Sequence, residues 1–284
     1  MSPARPMRQF PLALHTWTLD TTPLEAALGA AREAGFDAVE LRRIDFKRCT
    51  ERGLSNEAVL DLIRSAGIGV CTLGVEYGWI FAKGEESKRL FGVFRETCAN
   101  AVALDCKLIM SAPGPVTGTI PEAIDNLRTA SDIAGEFGLR LALEFNSQHE
   151  VINRLEVARE ILAGAGRANC GLMLDAYHLH RSGRTGRGFA EVAGEEIFGF
   201  QYSDVPNEPV GDVKRPVDRL LPGRGVVDWS GVFGLLAEKN YQGYLSYEAP
   251  NPASWERPAV AVAAEAVEAT RRLIREALKQ GTKS

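Results

Sequence analysis

"GLMLDAYHLHRSG", residues 171–183, opens on a tight apolar run, reaches Asp175, and places His178 three positions further on. A near-continuous apolar run is what a parallel strand carries when helices cover both faces of its sheet. A run built for burial that ends on a carboxylate raises the question of what that carboxylate faces. The same pattern recurs nearby. "LALEF" (141–145) ends on Glu144, "GFQYS" (199–203) on Gln201 and "LSYEA" (245–249) on Glu248.

Working outward, short β-rich runs alternate with amphipathic helical runs along the whole chain. "FPLALHTWTL", "FDAVELRR", "IGVCTLGVE" and "CKLIMSAPG" supply four strands before the four already quoted. Between them lie helical stretches such as "TTPLEAALGAAREAG", which Gly35 closes, and "SNEAVLDLIRSAG", which runs from a capping Ser55 to Gly67. Long helices are expected at about 87–104 and 255–279. The repeat interval, roughly 26 to 45 residues, suits a strand, a helix and two loops. Eight such units in 284 residues predict an α/β fold of the (β/α)8 TIM-barrel type. The alternative, an open doubly wound sheet, advertises a Gly-rich turn after its first strand, and "LHTWTLDTTP" has no G-x-G-x-x-G. No Gly-, Ser- or Pro-rich linker divides the chain. The expectation is a single barrel domain over residues 9–280, with short tails at 1–8 and 281–284. The Pro- and Gly-rich stretch 203–229 is long for a barrel loop, and loops of that length tend to be functional.

Bulk properties exclude several classes. A formal charge of -4 argues against a general nucleic-acid binder. No apolar stretch is long enough to span a bilayer, and "MSPARPMRQF" has no apolar signal segment. Cys49, Cys71, Cys98, Cys106 and Cys170 are odd in number and scattered, so neither a disulfide framework nor a zinc motif is expected. The expected compartment is the cytoplasm.

Side chains alternate between the faces of a strand. Glu144 therefore shares a face with Ala142, Asp175 with Met173, Gln201 with Gly199 and Glu248 with Ser246. The opposite face carries Leu141 and Leu143, Leu172 and Leu174, Phe200 and Tyr202, Leu245 and Tyr247, which suits packing against a helix ring. The polar groups then converge at the carboxyl end of the barrel, the functional face of this fold. Three converging carboxylates repel, and burying them unpaired is costly, so a cation is expected among them. Oxygen donors favour a hard divalent ion, Mn²⁺ or Mg²⁺ ahead of Co²⁺ or Zn²⁺.

"ALEF", "LDAYH", "FQYSD", "LPGRGVVDW" and "YLSYE" resemble the xylose isomerase-like TIM barrels, in the sugar-phosphate isomerase/epimerase group with its inosose isomerases and dehydratases, hydroxypyruvate isomerases and ketose 3-epimerases. The resemblance spans nearly the whole chain. It implies a metal site of Glu144, Asp175, Gln201 and Glu248, with Gln201 standing where many members have His. Certain dehydroshikimate dehydratases are similar in having Gln there. It further implies proton transfer next to a carbonyl through a metal-stabilised enediolate, with Glu144 and Glu248 as the catalytic acid and base. The expected activity is isomerisation or epimerisation of a sugar, inosose or similar polyhydroxy ketone. The alternative is dehydration of a dehydroshikimate-like or inosose-like ring. An endonuclease IV-like repair enzyme needs many His ligands, and the chain has four. A non-catalytic sugar-binding barrel would have no use for both Glu144 and Glu248.

His178 matches the D-x-x-H histidine that reaches a substrate oxygen in the family, and Arg219 a family Arg near the substrate or the metal's outer shell. His15 and Trp17 are read as sharing a face at the end of strand one and lining the pocket. Glu40 is expected in an internal salt bridge with Arg42. Glu76, Tyr77 and Trp79 are expected on the lid side. The partner is a small polyhydroxy ketone. Phosphorylated substrates are disfavoured by the lack of a Gly-rich phosphate turn after strand seven or eight. No nucleic-acid or membrane partner is expected, and the resemblance implies a homo-oligomer.

Overall fold

A computed structural model describes residues 10–208 and 216–280; the tails expected at 1–8 and 281–284, and positions 209–215 of the long loop, lie outside the described residues. Eight parallel strands close into a barrel in sequence order: β1 Leu12–His15, β2 Ala38–Leu41, β3 Gly69–Gly74, β4 Leu108–Ser111, β5 Arg140–Glu144, β6 Cys170–Asp175, β7 Ile197–Tyr202 and β8 Leu245–Tyr247. The seam closes where Leu12 pairs with Leu245 and Leu14 with Tyr247. The helices are α1 Leu24–Ala34, α2 Arg43–Glu51, α3 Asn56–Ser65, α4 Gly84–Ala103, α5 Ile120–Glu136, α6 Leu155–Ala165, α7 Ala176–Arg181, α8 Trp229–Glu238, α9 Pro252–Trp255 and α10 Ala259–Gln280.

Local chemistry places these boundaries. Ser55 accepts the Ala58 N–H at the start of α3, and Thr119 with Glu122 forms a reciprocal capping box on α5. Gly35 ends α1 at φ 85°, a left-handed conformation that favours glycine.

The alternation read from the sequence sorts the strands into two layers. Leu141, Leu143, Leu172, Leu174, Phe200, Tyr202, Leu245 and Tyr247 join the large apolar core between barrel and helices. Ala142 and Met173 point inward, where they pack with Leu108 and Met110. Each Leu fully buried in the outer layer is worth about 1.5–3 kcal/mol relative to exposure. Many inward positions near the strand starts are small, among them Ala38, Gly69 and Gly199, and they border a cavity of 340 Å³ at the amino end of the barrel.

Two expectations at the strand ends are corrected. β1 stops at His15, and Trp17 lies in a short 3-10 turn, Thr16–Leu19, instead of continuing the strand's alternation. The physical cause is the His15 ring, whose Nδ1 accepts the Trp17 N–H and turns the chain. Trp79 does not reach the lid. It is buried in the core, with its indole N–H donated to Ser111 Oγ.

Candidate active site at the carboxyl end of the barrel

Adjacent registers bring the site together. Glu144 pairs with Met173, Asp175 with Gln201, and Gln201 with Ser246, so the polar groups rise side by side around the mouth. Glu144 and Asp175 are the last residues of β5 and β6, and Glu248 follows β8 directly. Asp175 also caps α7: its Oδ1 accepts the Tyr177 N–H at 2.9 Å. That short helix turns His178 back over the carboxylates. The His178 Nε2 lies 3.9 Å from Glu144 Oε1 and 3.8 Å from Asp175 Oδ2.

Arg219 is the centre of this cluster. Its Nη1 lies 2.7 Å from Asp175 Oδ2 and 3.0 Å from Glu248 Oε2, and its Nη2 lies 3.3 Å from His178 Nε2. The guanidinium sits 4.4 Å from the centre of the Tyr177 ring and is 1% exposed. Its chain segment is held by Asp204, a fully buried carboxylate. Asp204 accepts the Gly223 and Val227 N–H groups and the Trp229 indole N–H. The backbones of Asp204 and Leu220 pair as an isolated bridge. Gly225 packs against this hub so closely that a Cβ there would run into the Val205 carbonyl oxygen. The "SD" of "FQYSD" is the visible signal for this hub, but strand alternation alone does not show that Asp204 anchors a loop.

His15 reaches the same cluster from β1. Because its Nδ1 accepts the Trp17 N–H, the ring hydrogen is on Nε2, 3.4 Å from Glu248 Oε1. Glu40, fully buried, is a further correction. It makes no pair with Arg42; its Oε1 accepts a 2.9 Å hydrogen bond from Gln201 Nε2. Arg42 instead binds Asp20 and Asp45 at 2.7 and 2.8 Å. The strand's alternation does not extend to Arg42: β2 ends at Leu41, and Arg42 is already the N-cap of α2, where its side chain turns to Asp20 and Asp45 while Glu40 stays inside the barrel.

Burial dominates the titration of these groups. It pushes Glu40 up to about 8. Burial, with nearby Glu248 and Asp175, raises Glu144 well above the usual carboxylate range. Glu248 is pushed up to about 7, with Arg219 limiting the rise. Burial holds His178 down to about 3 and His15 well below its ordinary value, so both rings are neutral near pH 7.

The donor set fits a divalent cation. Glu144, Asp175 and His178 each offer a ligand atom, all within 4.8 Å of one another. The buried Glu144 Oε1 and Gln201 Oε1 have no hydrogen-bond partner, and such atoms are costly unless something binds them. Three carboxylates and Arg219 sum to two negative charges, which a 2+ ion balances. His178, read as a substrate contact, stands as close to the donor set as the carboxylates do. Among the described residues no helix is long and apolar enough to cross a membrane, and all five cysteines are free.

Comparison with known proteins agrees with this architecture. The family model described as xylose isomerase-like TIM barrel matches residues 28–273. An inosose isomerase of Bacillus velezensis is 24% identical over 245 residues, covering 83% of this chain and 86% of that protein. A 3-dehydroshikimate dehydratase of Pseudomonas aeruginosa is 29% identical over 169 residues, 59% of this chain and 26% of that protein. Among solved structures, the crystal structure of the IolI protein with a binding zinc atom aligns with a TM-score of 0.82 at 23% identity, covering 94% of this chain and 98% of that one.

Proposed function

The chain belongs to the xylose isomerase-like TIM barrel family, and from that premise we propose that it is a divalent-metal-dependent isomerase or epimerase of a sugar, inosose or similar polyhydroxy ketone. The observation that carries the reading is the convergence of Glu144, Asp175 and Glu248 around one buried arginine, leaving a net charge of two to be neutralised. Glu144, Asp175 and Glu248 would hold the ion, with Gln201 Oε1 completing the donor set. Mn²⁺ or Mg²⁺ suits the oxygen-rich ligands best. A bound divalent ion supplies Lewis-acid polarisation of a substrate carbonyl.

The remaining work falls to the side chains. Glu144 and Glu248 take and return a proton at carbon. Their raised affinity for protons brings them toward the working pH, where a general base is most effective. The neutral His15 faces Glu248 Oε1 while Arg219 faces Oε2, so the two hold that carboxylate in one orientation. His178 orients a substrate oxygen from above, and Arg219 bridges the Asp175 and Glu248 carboxylates and offsets their repulsion.

Dehydration of a dehydroshikimate-like or inosose-like ring is the second reading. It is favoured by Gln201 at the seventh-strand position and by the similarity to the P. aeruginosa dehydratase. One experiment tests both. The protein is incubated with Mn²⁺, Mg²⁺, Co²⁺ or Zn²⁺ and a panel of ketoses, inososes and 3-dehydroshikimate in deuterated water, followed by NMR. Deuterium entering at a carbon beside the carbonyl supports isomerisation or epimerisation. Water loss with a new ultraviolet chromophore supports the lyase. No exchange and no product with any ion or compound overturns the catalytic reading.

A further inference from the structure

A cavity of 440 Å³ opens where the loops after β1, β2 and β3 meet, lined by Trp17, Arg42, Arg43, Lys47, Arg48 and Tyr77 among others. It adjoins the catalytic cluster. The Trp17 backbone is hydrogen-bonded to His15, and the Tyr77 hydroxyl feels the charges of Glu144 and Glu248. The wall is basic because "RRIDFKR", residues 42–48, lies along it.

Not all of that charge is free. Arg42 and Arg48 share Asp20, and Arg42 also binds Asp45, so these two cations are matched by two anions. Glu76 is held by Arg89. Arg43 and Lys47 differ. Their carboxylate neighbours are Glu96, 3.2 Å from Arg43, and Glu51, 3.9 Å from Lys47, both largely exposed. Neither Glu96 nor Glu51 lines this cavity. Exposed pairs of this kind contribute little and exchange readily with another anion. Arg43 and Lys47 are four residues apart on α2, which puts them on one helical face. Trp17 and Tyr77 offer flat apolar surfaces beside them, and Tyr77 is 43% exposed.

We propose that this basic rim is an anion subsite, in which Arg43 and Lys47 hold a carboxylate or phosphate group of the substrate while its ring or chain lies along Trp17 and Tyr77. The inference rests on the reading of the barrel mouth as a catalytic site and narrows it: the substrate is an acidic polyhydroxy ketone rather than a neutral one, and the missing Gly-rich turn disfavours only a backbone phosphate cradle, not an anion held by the Arg43 and Lys47 side chains. Separation is part of the design. With the ion bound, the catalytic carboxylates are balanced and offer an anion no surplus positive charge, whereas the rim does, so the acidic end is drawn to the rim and the carbonyl end is left toward Glu144 and Glu248.

The test is calorimetric binding to the Mn²⁺-loaded full chain with matched probes: 3-dehydroshikimate against its methyl ester, and D-fructose 6-phosphate against D-fructose. In at least one pair the acid is expected to bind ten-fold or more tightly than its neutral partner, in keeping with hydrogen bonds to charged groups. In the R43Q/K47Q double variant that gap shrinks to about three-fold or less, because the charge-assisted bonds are gone. The pair that shows the gap identifies the anion as carboxylate or phosphate. Equal affinity within both pairs overturns the subsite, and so does a gap that survives R43Q/K47Q or an absence of binding by every acid. Deuterium exchange is read separately. Exchange without an acid preference overturns the subsite alone, whereas an acid preference without exchange for any compound or ion overturns catalysis and leaves anion recognition standing.

Discussion

Arg219 and Asp175 meet at 2.7 Å with side chains that are 1% and 0% exposed, which makes this ion pair the buried electrostatic centre of the barrel mouth. Removing one partner of such a pair strands the other charge in low dielectric, at a cost of about 3–5 kcal/mol. Arg219→Met is expected to lose stability in that range in urea unfolding of metal-free protein. Part of the loss returns when Mn²⁺ is added, since the ion then supplies the missing positive charge. A loss below about 1 kcal/mol would mean that the carboxylates do not depend on Arg219.

The two outer carboxylates carry the proton in the proposed chemistry. Glu144→Gln and Glu248→Gln preserve shape and remove the base, so each is expected to slow solvent-deuterium exchange by roughly 10²–10⁴-fold. Circular dichroism should stay native in both, and the urea midpoint separates the stability that Glu248→Gln loses by giving up its pair with Arg219 from the loss of exchange. Exchange at undiminished rate in both variants would remove these residues from the mechanism.

Gln201 presents an amide oxygen where an imidazole nitrogen is the alternative. Gln201→His exchanges a hard donor for a borderline one and is expected to shift metal preference toward Zn²⁺ relative to Mg²⁺. Competition titration against a chromogenic chelator measures that ratio. An unchanged ratio would place Gln201 outside the coordination sphere.

Stability should also depend on pH in a characteristic way. Glu40 is pushed up to about 8 and Glu248 up to about 7 by burial, whereas an unfolded Glu titrates near ~4.3. Between those values the folded state binds more protons than the unfolded chain. This contribution is therefore complete below pH ~4 and lost as pH rises through 7 and 8. His178, held down to about 3, acts in the opposite sense, and its contribution is lost as pH falls from ~6.5 toward 3. Metal-free protein is thus expected to weaken from pH 6.5 to 8.5, by up to about 1.4 kcal/mol per pH unit for each titrating group. Glu40→Gln keeps an acceptor for Gln201 and should flatten this decline, as read from urea midpoints across the range.

Asp204 anchors the segment that delivers Arg219. Asp204→Ala leaves the Gly223 and Val227 N–H groups and the Trp229 indole without their acceptor. Buried donors stranded in this way cost about 1–3 kcal/mol each, so a loss of several kcal/mol and faster amide exchange at Gly223 and Val227 are expected. Protection unchanged at those amides would show that the loop is held by other contacts.

How much of this was legible beforehand differs from residue to residue. The inward placement of Glu144 and Asp175 followed from alternation against Leu141, Leu143, Leu172 and Leu174, and the barrel from eight buried runs spaced by helices. Those features depend on neighbours along the chain, and a period of two or 3.6 is written into the sequence itself. Trp17 escaped the same rule because the His15 ring, accepting the Trp17 N–H, ended the strand early.

The chain alone therefore determined the fold, the faces of its strands and the oxygen-bearing residues at their ends. The tertiary structure decided who pairs with whom. Asp175 and Arg219 are 44 residues apart, and Glu40 and Gln201 are 161 apart. It likewise set Arg43 and Lys47 along one cavity wall and Trp79 in the core. Local periodicity says which way a side chain points, but the partner of a buried charge exists only once the sheet has closed on itself and brought distant strands within a few ångströms.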